Sequence, residues 1–420
     1  MSQPQTPDFA GAIALAPKIR AVTDDVLIRN IDRKREATAF WLGLISGYPV
    51  FLFGSYGVNK TQMVEQMVGR LLSATFANEL IPQVKSADQI LVVSSSIRER
   101  TVAEGEKMVD IHQVLGRAFL AHVFFGDEFF KDPTNPALLE LIDYALNGTV
   151  RHEGAKLRSS LRLFMAAGNE LPDPDGLMGA TWARMILRVK VNPLDAVGKR
   201  RLVTSRLDHQ RGISTPQSKA GLTLQEVDLL RGMRPFVDVP ESVVDQVLDV
   251  YQDLVDQDEG FRWIWEDDRR FGRVFDVLQA HALMHGRTQV TSSDLTVLRW
   301  LLWNDSSQIP ALEAIVDPLC RTPFGECREL VDTLLATGGI VDQVCQGTAN
   351  QWANAVTQVN TCKTALTTKV GTLSGAENTK VQSWITALAA MVTLIASSAG
   401  GSIDRNAAQV AYNSLKSALS

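Results

Sequence analysis

The chain has no cysteine before residue 320 and only 6 histidines among its 420 residues. Its four cysteines lie in the last quarter and form no CxxC pair: Cys320, Cys327, Cys345 and Cys362. Structural zinc sites use closely spaced cysteines and histidines, so this pattern argues against one. The expected state of the cysteines is the reduced thiol of a cytoplasmic protein, and we expect a cytoplasmic location.

An excess of basic residues is also missing. The 47 acidic residues outnumber the 42 basic ones, and the formal net charge at pH 7 is -5. A mildly acidic surface gives no general attraction to a nucleic-acid backbone. Neither a basic stripe nor a helix-turn-helix signature is present, which argues against a DNA-linked motor such as an initiator or helicase. Nucleic acid is therefore not an expected partner.

The sequence lacks targeting and membrane-spanning patterns. The opening MSQPQTPDFA has no basic region followed by an apolar one, so no secretion signal is expected. The most apolar long stretch, Trp384 to Ala399, is rich in Ala, Ser and Thr. It falls short of the roughly 20 strongly apolar residues that span a bilayer. It predicts a buried helix, and no membrane partner is expected.

Apolar residues make up 45% of the chain, which suffices for well-packed cores. In the first half, short apolar runs alternate with helical patterns, which predicts a parallel sheet with helices on both faces. The predicted strands are Val50–Phe53, Ile90–Ser94, His122–Phe125, Leu161–Ala167 and Ile186–Val191. The predicted helices between or before them are Asp24–Ser46, Lys60–Ala77 and Pro136–Leu146.

Composition divides the chain into four parts. Residues 1–205 form the predicted α/β core with an N-terminal helix, and residues 206–222 form a polar linker. Residues 223–308 have helical periodicity throughout and predict an all-helical domain. Residues 309–420 predict a helical C-terminal module, in which charged residues become scarce after Cys345 and a hairpin breaks near Gly400 and Gly401.

The segment FLFGSYGVNKT resembles a phosphate-binding P-loop, GxxxxGK(S/T), placed between a strand and a helix. Gly54, Lys60 and Thr61 are in register, and Asn59 replaces the second glycine. Asn tolerates the positive φ that such a position often needs. Lys60 would reach the β- and γ-phosphates and Thr61 would bind Mg²⁺. Loop amides and the helix start would hold the phosphates, through Gly57, Val58, Asn59 and Gln62. The alternative is an ordinary strand–turn–helix.

A second motif strengthens the first. In HVFFGDEFF, Asp127 and Glu128 directly follow an apolar strand, as in a Walker B motif. Asp127 would hold Mg²⁺ and Glu128 would polarise the attacking water. The alternative for Asp127 is a helix N-cap.

Three further polar positions fit the same site. Asn169 follows the strand of LRLFMAAGN and could position the water, or could be a turn residue. Arg184, just before the last strand, could face a neighbouring subunit, or could be a solvated side chain. Arg269, with Arg270 as the alternate, could touch the nucleotide from the helical domain. Both follow Asp267 and Asp268, which suit the first turn of any helix.

These elements, in this order, resemble the MoxR branch of AAA+ ATPases, and most closely its RavA-like members. The resemblance covers roughly residues 21–305. It is carried by GDEFFKDPTNPALLELIDYALNGTVRHEG, by FMAAGNELPDPDGLMGATWARMILRVKV and by EDDRRFGRVFDVLQAHALMHGRTQVTSSDLTVLRWLLW. Two departures are Asn59, where the family usually has Ala or Gly, and the C-terminal module, which resembles nothing identified and has no DxSxS cluster.

The resemblance implies an AAA+ P-loop core with an all-helical lid domain, binding ATP and Mg²⁺. It also implies a homo-oligomeric ring, usually a hexamer, that remodels protein substrates as a chaperone, often beside a von Willebrand factor A domain protein. Arg184 would be the finger and Arg269 the lid sensor. The alternative is a nucleotide-binding scaffold or switch with little turnover. The presence of Glu128 favours hydrolysis, because scaffolds often lose that carboxylate.

Overall fold

A computed structural model of the chain describes residues 8–103, 106–135, 137–152, 155–211, 221–320, 349–373 and 375–397, with residue 410 and isolated positions between 323 and 334. It separates into two compact units, Met1–Pro318 and Leu319–Ser420.

The strands found among the described residues belong to the first unit. They are β1 (Val50–Phe53), β2 (Leu71–Leu72), β3 (Phe76–Leu80), β4 (Val92–Ala103), β5 (Glu106–Leu115), β6 (Val123–Asp127), β7 (Thr149–His152), β8 (Ala155–Arg158), β9 (Leu163–Gly168), β10 (Leu187–Lys190) and β11 (Leu222–Thr223).

The helices run through both units. They are α1 (Ala10–Ile13), α2 (Ala16–Leu27), α3 (Lys34–Ser46), α4 (Lys60–Val68), α5 (Asp88–Leu91), α6 (Ala137–Asn147), α7 (Gly179–Arg184), α8 (Ala196–Gln210), α9 (Leu224–Met233), α10 (Glu241–Gln257), α11 (Trp263–Glu266), α12 (Asp268–Met284), α13 (Ile309–Cys320), α14 (Ala349–Val370) and α15 (Gly375–Ser397). Short 3₁₀ segments cover Ile81–Gln83, Arg234–Phe236, Glu259–Phe261, Ser292–Trp300 and Ser306–Gln308.

A five-stranded parallel sheet forms the centre of the first unit, in the order β10-β1-β9-β6-β3. Strand β1 lies between β10 and β9, and Val50 pairs with both Leu187 and Met165. Its residues Val50, Phe51 and Leu52 are fully buried, as expected for a strand covered on both faces. Because the strands are parallel, the residues that follow β1, β6 and β9 meet at one edge of the sheet. The fold class predicted from the sequence is confirmed.

One predicted strand, Ile90–Ser94, was wrong. Those residues span the end of helix α5 and the start of β4, which pairs with β5 in an antiparallel hairpin outside the central sheet. The fifth strand of the sheet is instead β3, which pairs with β6. The helix predicted over Lys60–Ala77 ends at Val68, and β3 begins at Phe76. Strand β3 lies at the sheet edge, where buried Ala77 and Glu79 alternate with exposed Asn78 and Leu80. Its short, half-polar sequence gives little strand signal.

The single helix predicted over Asp24–Ser46 is divided in the structure into the end of α2 and the whole of α3. The break between them includes Asp32, whose φ is 56°. A positive φ cannot continue a right-handed helix, and Asp is among the few residues that adopt it readily.

From residue 224 to 320 the described chain is helical, as predicted. Helix α9 starts with a capping box, in which the Thr223 hydroxyl accepts from the Glu226 amide and the Glu226 carboxylate accepts from the Thr223 amide. The stretch predicted as a linker includes residues 212–220, which lie outside the described residues.

The second unit has its own core. Helices α14 and α15 contribute fully buried side chains, including Val359, Leu366, Val381 and Trp384. Among the described residues, none of the helices is long and apolar enough to span a membrane. The hairpin break predicted near Gly400 and Gly401 lies outside the described residues.

Candidate nucleotide-binding site

The loop between β1 and α4 has the backbone geometry of a phosphate-binding loop. At Gly54, a Cβ atom would lie 2.5 Å from the Val191 carbonyl oxygen, so only glycine permits this close approach. Gly57 has φ 77°. Asn59 has φ 59° and ψ 31° and directly precedes helix α4. The positive φ predicted for Asn59 is therefore confirmed.

Lys60 opens helix α4 and points back over this loop. Its Nζ donates to the Gly54 carbonyl at 2.6 Å and to the Ser55 carbonyl at 3.1 Å. Burial lowers the pKa of Lys60, and the nearby Asp127 carboxylate opposes that shift. The ammonium is thus held beside both the loop and the acidic end of β6.

The acidic pair lies where β6 ends. The Thr61 hydroxyl donates to Asp127 Oδ2 at 3.3 Å, and the Glu128 amide donates to Asp127 Oδ1 at 2.9 Å. The Phe129 amide donates to the Ala167 carbonyl at 2.8 Å, which ties this turn to the end of β9, close to Asn169. The structure therefore joins motifs that are far apart in the sequence.

A cavity of about 290 Å³ occupies this edge of the sheet. Its lining contains nine of the residues predicted from the sequence and two others, Tyr56 and Gly168. The full lining is Tyr56, Gly57, Val58, Asn59, Lys60, Thr61, Gln62, Asp127, Glu128, Gly168 and Asn169. Tyr56 and Gly168 were not predicted as site residues. Each is next to or between residues of a recognised motif, which is the only signal that the sequence offers for them.

Four predicted residues do not line this cavity. Gly54 acts through the backbone approach described above. Arg184, at the end of α7, is exposed and donates to the Ala180 carbonyl at 3.3 Å. Arg269, in the first turn of α12, is also exposed. Both guanidinium groups remain accessible to a partner or ligand, and their proposed roles are considered below.

Arg270 is the fourth, and the structure places its side chain in the protein interior, away from the cavity lining. The residue is 1% exposed. Its Nη1 donates to the carbonyls of Leu301 at 2.8 Å and Ile186 at 3.3 Å, and its Nη2 donates to the Ala183 carbonyl at 2.8 Å. The Asp267 carboxylate lies 3.4 Å from its Nε. The guanidinium points into the protein interior, where it donates hydrogen bonds to backbone carbonyls.

The chemistry of the site suits Mg²⁺. Mg²⁺ prefers oxygen ligands and is usually held by one or two protein groups, with waters and substrate phosphates completing the shell. The Thr61 hydroxyl and Asp127 carboxylate provide such oxygens side by side. Within the part of the chain that the structure describes, no group of three or more His, Cys, Asp or Glu side chains could bind a metal.

Comparison with known families decides the assignment. The family model described as the MoxR domain in the MoxR-vWA-beta-propeller ternary systems matches residues 17–231. The chain belongs to the MoxR family of AAA+ ATPases. A second model, the AAA lid domain, matches residues 242–316, so the helices from α10 to α13 are the lid of this MoxR protein.

Individual relatives are more distant. Two uncharacterized proteins of Methanocaldococcus jannaschii are each 22% identical, one over 300 residues covering 71% of this chain and 73% of the relative, the other over 309 residues covering 73% and 77%. A candidate ATPase from Cytophaga hutchinsonii has a similar structure, with TM-score 0.53 and 15% identity, covering 74% of this chain and 95% of that one. At this identity the structural likeness supports the fold alone.

Proposed function

We propose that this MoxR-family chain binds ATP with Mg²⁺ in the cavity at the sheet edge and hydrolyses it. The observation that carries the proposal is the meeting of Lys60, Asp127, Glu128 and Asn169 around one cavity of about 290 Å³. A basic residue on a phosphate loop, a metal-binding carboxylate and a second carboxylate are the parts that phosphoryl transfer to water requires.

Each residue has a role that follows from its position. Lys60 and the amides of the loop would hold the phosphates, with Gly57, Val58, Asn59 and Gln62 forming the wall. Thr61 and Asp127 would bind Mg²⁺, which neutralises phosphate charge when bound. Glu128 would orient and polarise the attacking water, and Asn169 would hold that water from the neighbouring strand.

The two exposed arginines would complete the site. Arg269, at the start of the lid helix α12, would contact the nucleotide from the lid of its own chain. Arg184 would reach the site of an adjacent copy, where a guanidinium stabilises charge on the phosphoryl group. An arginine finger that acts on the neighbouring subunit requires a ring of subunits. We therefore propose that the chain forms a homo-oligomeric ring, a hexamer as is usual for MoxR proteins.

The proposed task of the ring is to remodel a protein partner. The family description names ternary systems of MoxR, vWA and β-propeller proteins, which supports a von Willebrand factor A domain protein as the partner. Residues 309–420 would serve as an accessory module for partner or subunit contact. A cytoplasmic location, the four domain boundaries and the closer likeness to RavA-like members remain predictions.

A nucleotide-binding switch with little turnover is the second candidate, and Glu128 separates the two. The direct test is to measure Mg²⁺-dependent phosphate release by the whole chain, with Lys60→Met as the control that should lose ATP binding. Turnover that needs Mg²⁺ and disappears in Lys60→Met supports the enzyme. Tight ATP binding by the wild type without turnover, alone or with partner added, would support the switch.

A further inference from the structure

The backbone of Glu128 adopts a conformation that L-residues rarely take. Its φ is 52°, in the left-handed region where Cβ crowds the backbone. Asn and Asp relieve this crowding through local hydrogen bonds of a short side chain, whereas Glu does not share that preference. The surrounding contacts must therefore hold Glu128 in this state.

Three hydrogen bonds fix the main chain around Glu128. Its amide donates to Asp127 Oδ1 at 2.9 Å. The Phe129 amide donates to the Ala167 carbonyl at 2.8 Å, and the Lys131 amide donates to the Glu128 carbonyl at 3.2 Å. These hydrogen bonds fix the backbone of Glu128 and therefore the position of its Cβ atom. They do not fix the side-chain torsion angles of Glu128.

The carboxylate itself is held by Lys131. The Lys131 Nζ donates to Glu128 Oε2 at 2.7 Å. The Glu128 side chain is 21% exposed and the Lys131 side chain 45% exposed, so both groups of this ion pair are partly open to solvent. Among the described residues, Lys131 is the side-chain donor to this carboxylate. One carboxylate oxygen is thus occupied, and Glu128 still lines the cavity.

We infer that Lys131 is a positioning residue for Glu128: by binding one carboxylate oxygen it keeps the other directed at the attacking water. This inference rests on the proposed function, because it assigns Lys131 a purpose only if Glu128 acts on water. Hydrolysis of this kind depends mostly on positioning and electrostatics, so fixing the rotamer of Glu128 contributes directly to the rate.

Two features separate Lys131 from the nucleotide ligands. Lys131 does not line the cavity, whereas Lys60 does. The hydrogen bond to Glu128 is the main cause of a raised pKa of Lys131, and Tyr56 and Glu170 add smaller contributions. In this structure the Lys131 ammonium therefore contacts the Glu128 carboxylate, whereas Lys60 is the lysine that lines the cavity.

The test compares ATP affinity and kcat in full-length variants. Lys131→Met keeps the length and apolar stem but removes the ammonium. It should lower kcat by about 10- to 100-fold, by analogy with the loss seen when a partner that orients a metal ligand is removed. The Kd for ATP should change by less than about threefold, because no phosphate contact is lost. Lys131→Arg should restore most of the rate, and the exposed Lys85→Met is the matched control.

A second measurement asks whether Lys131 acts through Glu128. Single-turnover hydrolysis is followed in Glu128→Gln with and without Lys131→Met. Residues that act as a unit are non-additive, so the second change should then have almost no further effect. An equal loss in both backgrounds, or a wild-type rate in Lys131→Met, would overturn the inference while leaving ATP hydrolysis intact. Absence of Mg²⁺-dependent turnover in the wild type would instead remove the proposed function.

Discussion

The guanidinium of Arg270 donates to the carbonyl of Ala183 at 2.8 Å, one residue before Arg184. Helix α12 of the lid is thereby bonded to the end of α7 in the α/β core. The first two arginines of α12 differ in their surroundings: Arg269 is exposed and Arg270 is buried. This hydrogen bond therefore links the segment that contains Arg184, the proposed arginine finger, to the helix that contains Arg269, the proposed lid sensor.

A second buried arginine strengthens this junction. Arg188 is fully buried, with its guanidinium 4.0 Å from the centre of the Trp182 ring. It donates to the carbonyls of Trp182 at 2.7 Å and Met185 at 2.9 Å, and also to Trp303 and Asn304 of the lid region. Burial lowers the pKa of Arg188 well below its ordinary value, and repulsion from Arg270 adds to this.

We therefore expect Arg188→Met to destabilise the first unit by about 2–4 kcal/mol. The change leaves several buried carbonyls without donors, and removing an unfavourable buried charge offsets only part of that loss. Chemical denaturation followed by tryptophan fluorescence measures it. The control is Arg184→Met, an exposed arginine nearby, which should stay within about 0.5 kcal/mol of wild type. Similar stability of both variants would contradict this account of the junction.

Asn59 provides a prediction about the phosphate loop. Its φ is positive, yet its side chain makes no capping hydrogen bond to helix α4. Backbone tolerance rather than the amide group is then what the position needs. Asn59→Gly should bind ATP like the wild type, whereas Asn59→Val should weaken binding by about 1–3 kcal/mol through backbone strain. Calorimetry with ATP decides this, and equal affinity of the Val and Gly variants would contradict it.

The sequence was better at predicting which residues lie together at the end of the central strands than at predicting the outer strand of the sheet. Strands β1, β6 and β9 each contain a contiguous apolar run. Gly54 and Asn169 directly follow β1 and β9, and Asp127 is the last residue of β6, so the apolar pattern and the polar site residues coincide there. Strand β3 could not be recognised, because Glu79 is buried by pairing with Arg117, a partner that only the folded chain supplies. Short apolar runs such as Ile90–Ser94 also fit helix and strand alike.

The sequence also does not show which arginines are buried. Arg269 and Arg270 are equivalent in the sequence, and their separation into exposed and buried side chains depends on where α12 packs. The acceptors of Arg188 and Arg270 are mainly backbone carbonyls, which carry no residue identity. The sequence also gives no sign of the ion pair between Lys131 and Glu128, because residues three positions apart approach each other only in some backbone conformations, and the φ of Glu128 is unusual.

The separation into two units predicts that the second is dispensable for nucleotide binding. A chain ending after Cys320 keeps helix α13 whole, whereas a cut at Asn360 would divide α14. The shortened chain should fold and bind ATP with a Kd within about threefold of wild type. Circular dichroism checks folding and calorimetry checks binding. A shortened protein that neither folds nor binds nucleotide would place the second unit in the core.

The ring proposal predicts complementation between two inactive variants. Arg184→Ala and Glu128→Gln should each be nearly inactive alone, because a trans arginine contributes roughly 10³–10⁵ to phosphoryl transfer in related switches. Mixed rings contain some interfaces with Glu128 from one subunit and Arg184 from the next, so part of the activity should return. No recovery in rings shown to be mixed would remove the finger assignment, as would full activity of Arg184→Ala as a monomer.

In the proposed function, Glu128 acts on water at an ATP site formed by Lys60, Thr61 and Asp127. The most direct measurement is ATP binding and turnover of Glu128→Gln beside the wild type, under the same Mg²⁺ concentration. The Gln side chain keeps the size of Glu128 but loses its charge, so binding should be retained and kcat should fall by about 10²–10⁴-fold. A Glu128→Gln protein that hydrolyses ATP at the wild-type rate would contradict the account.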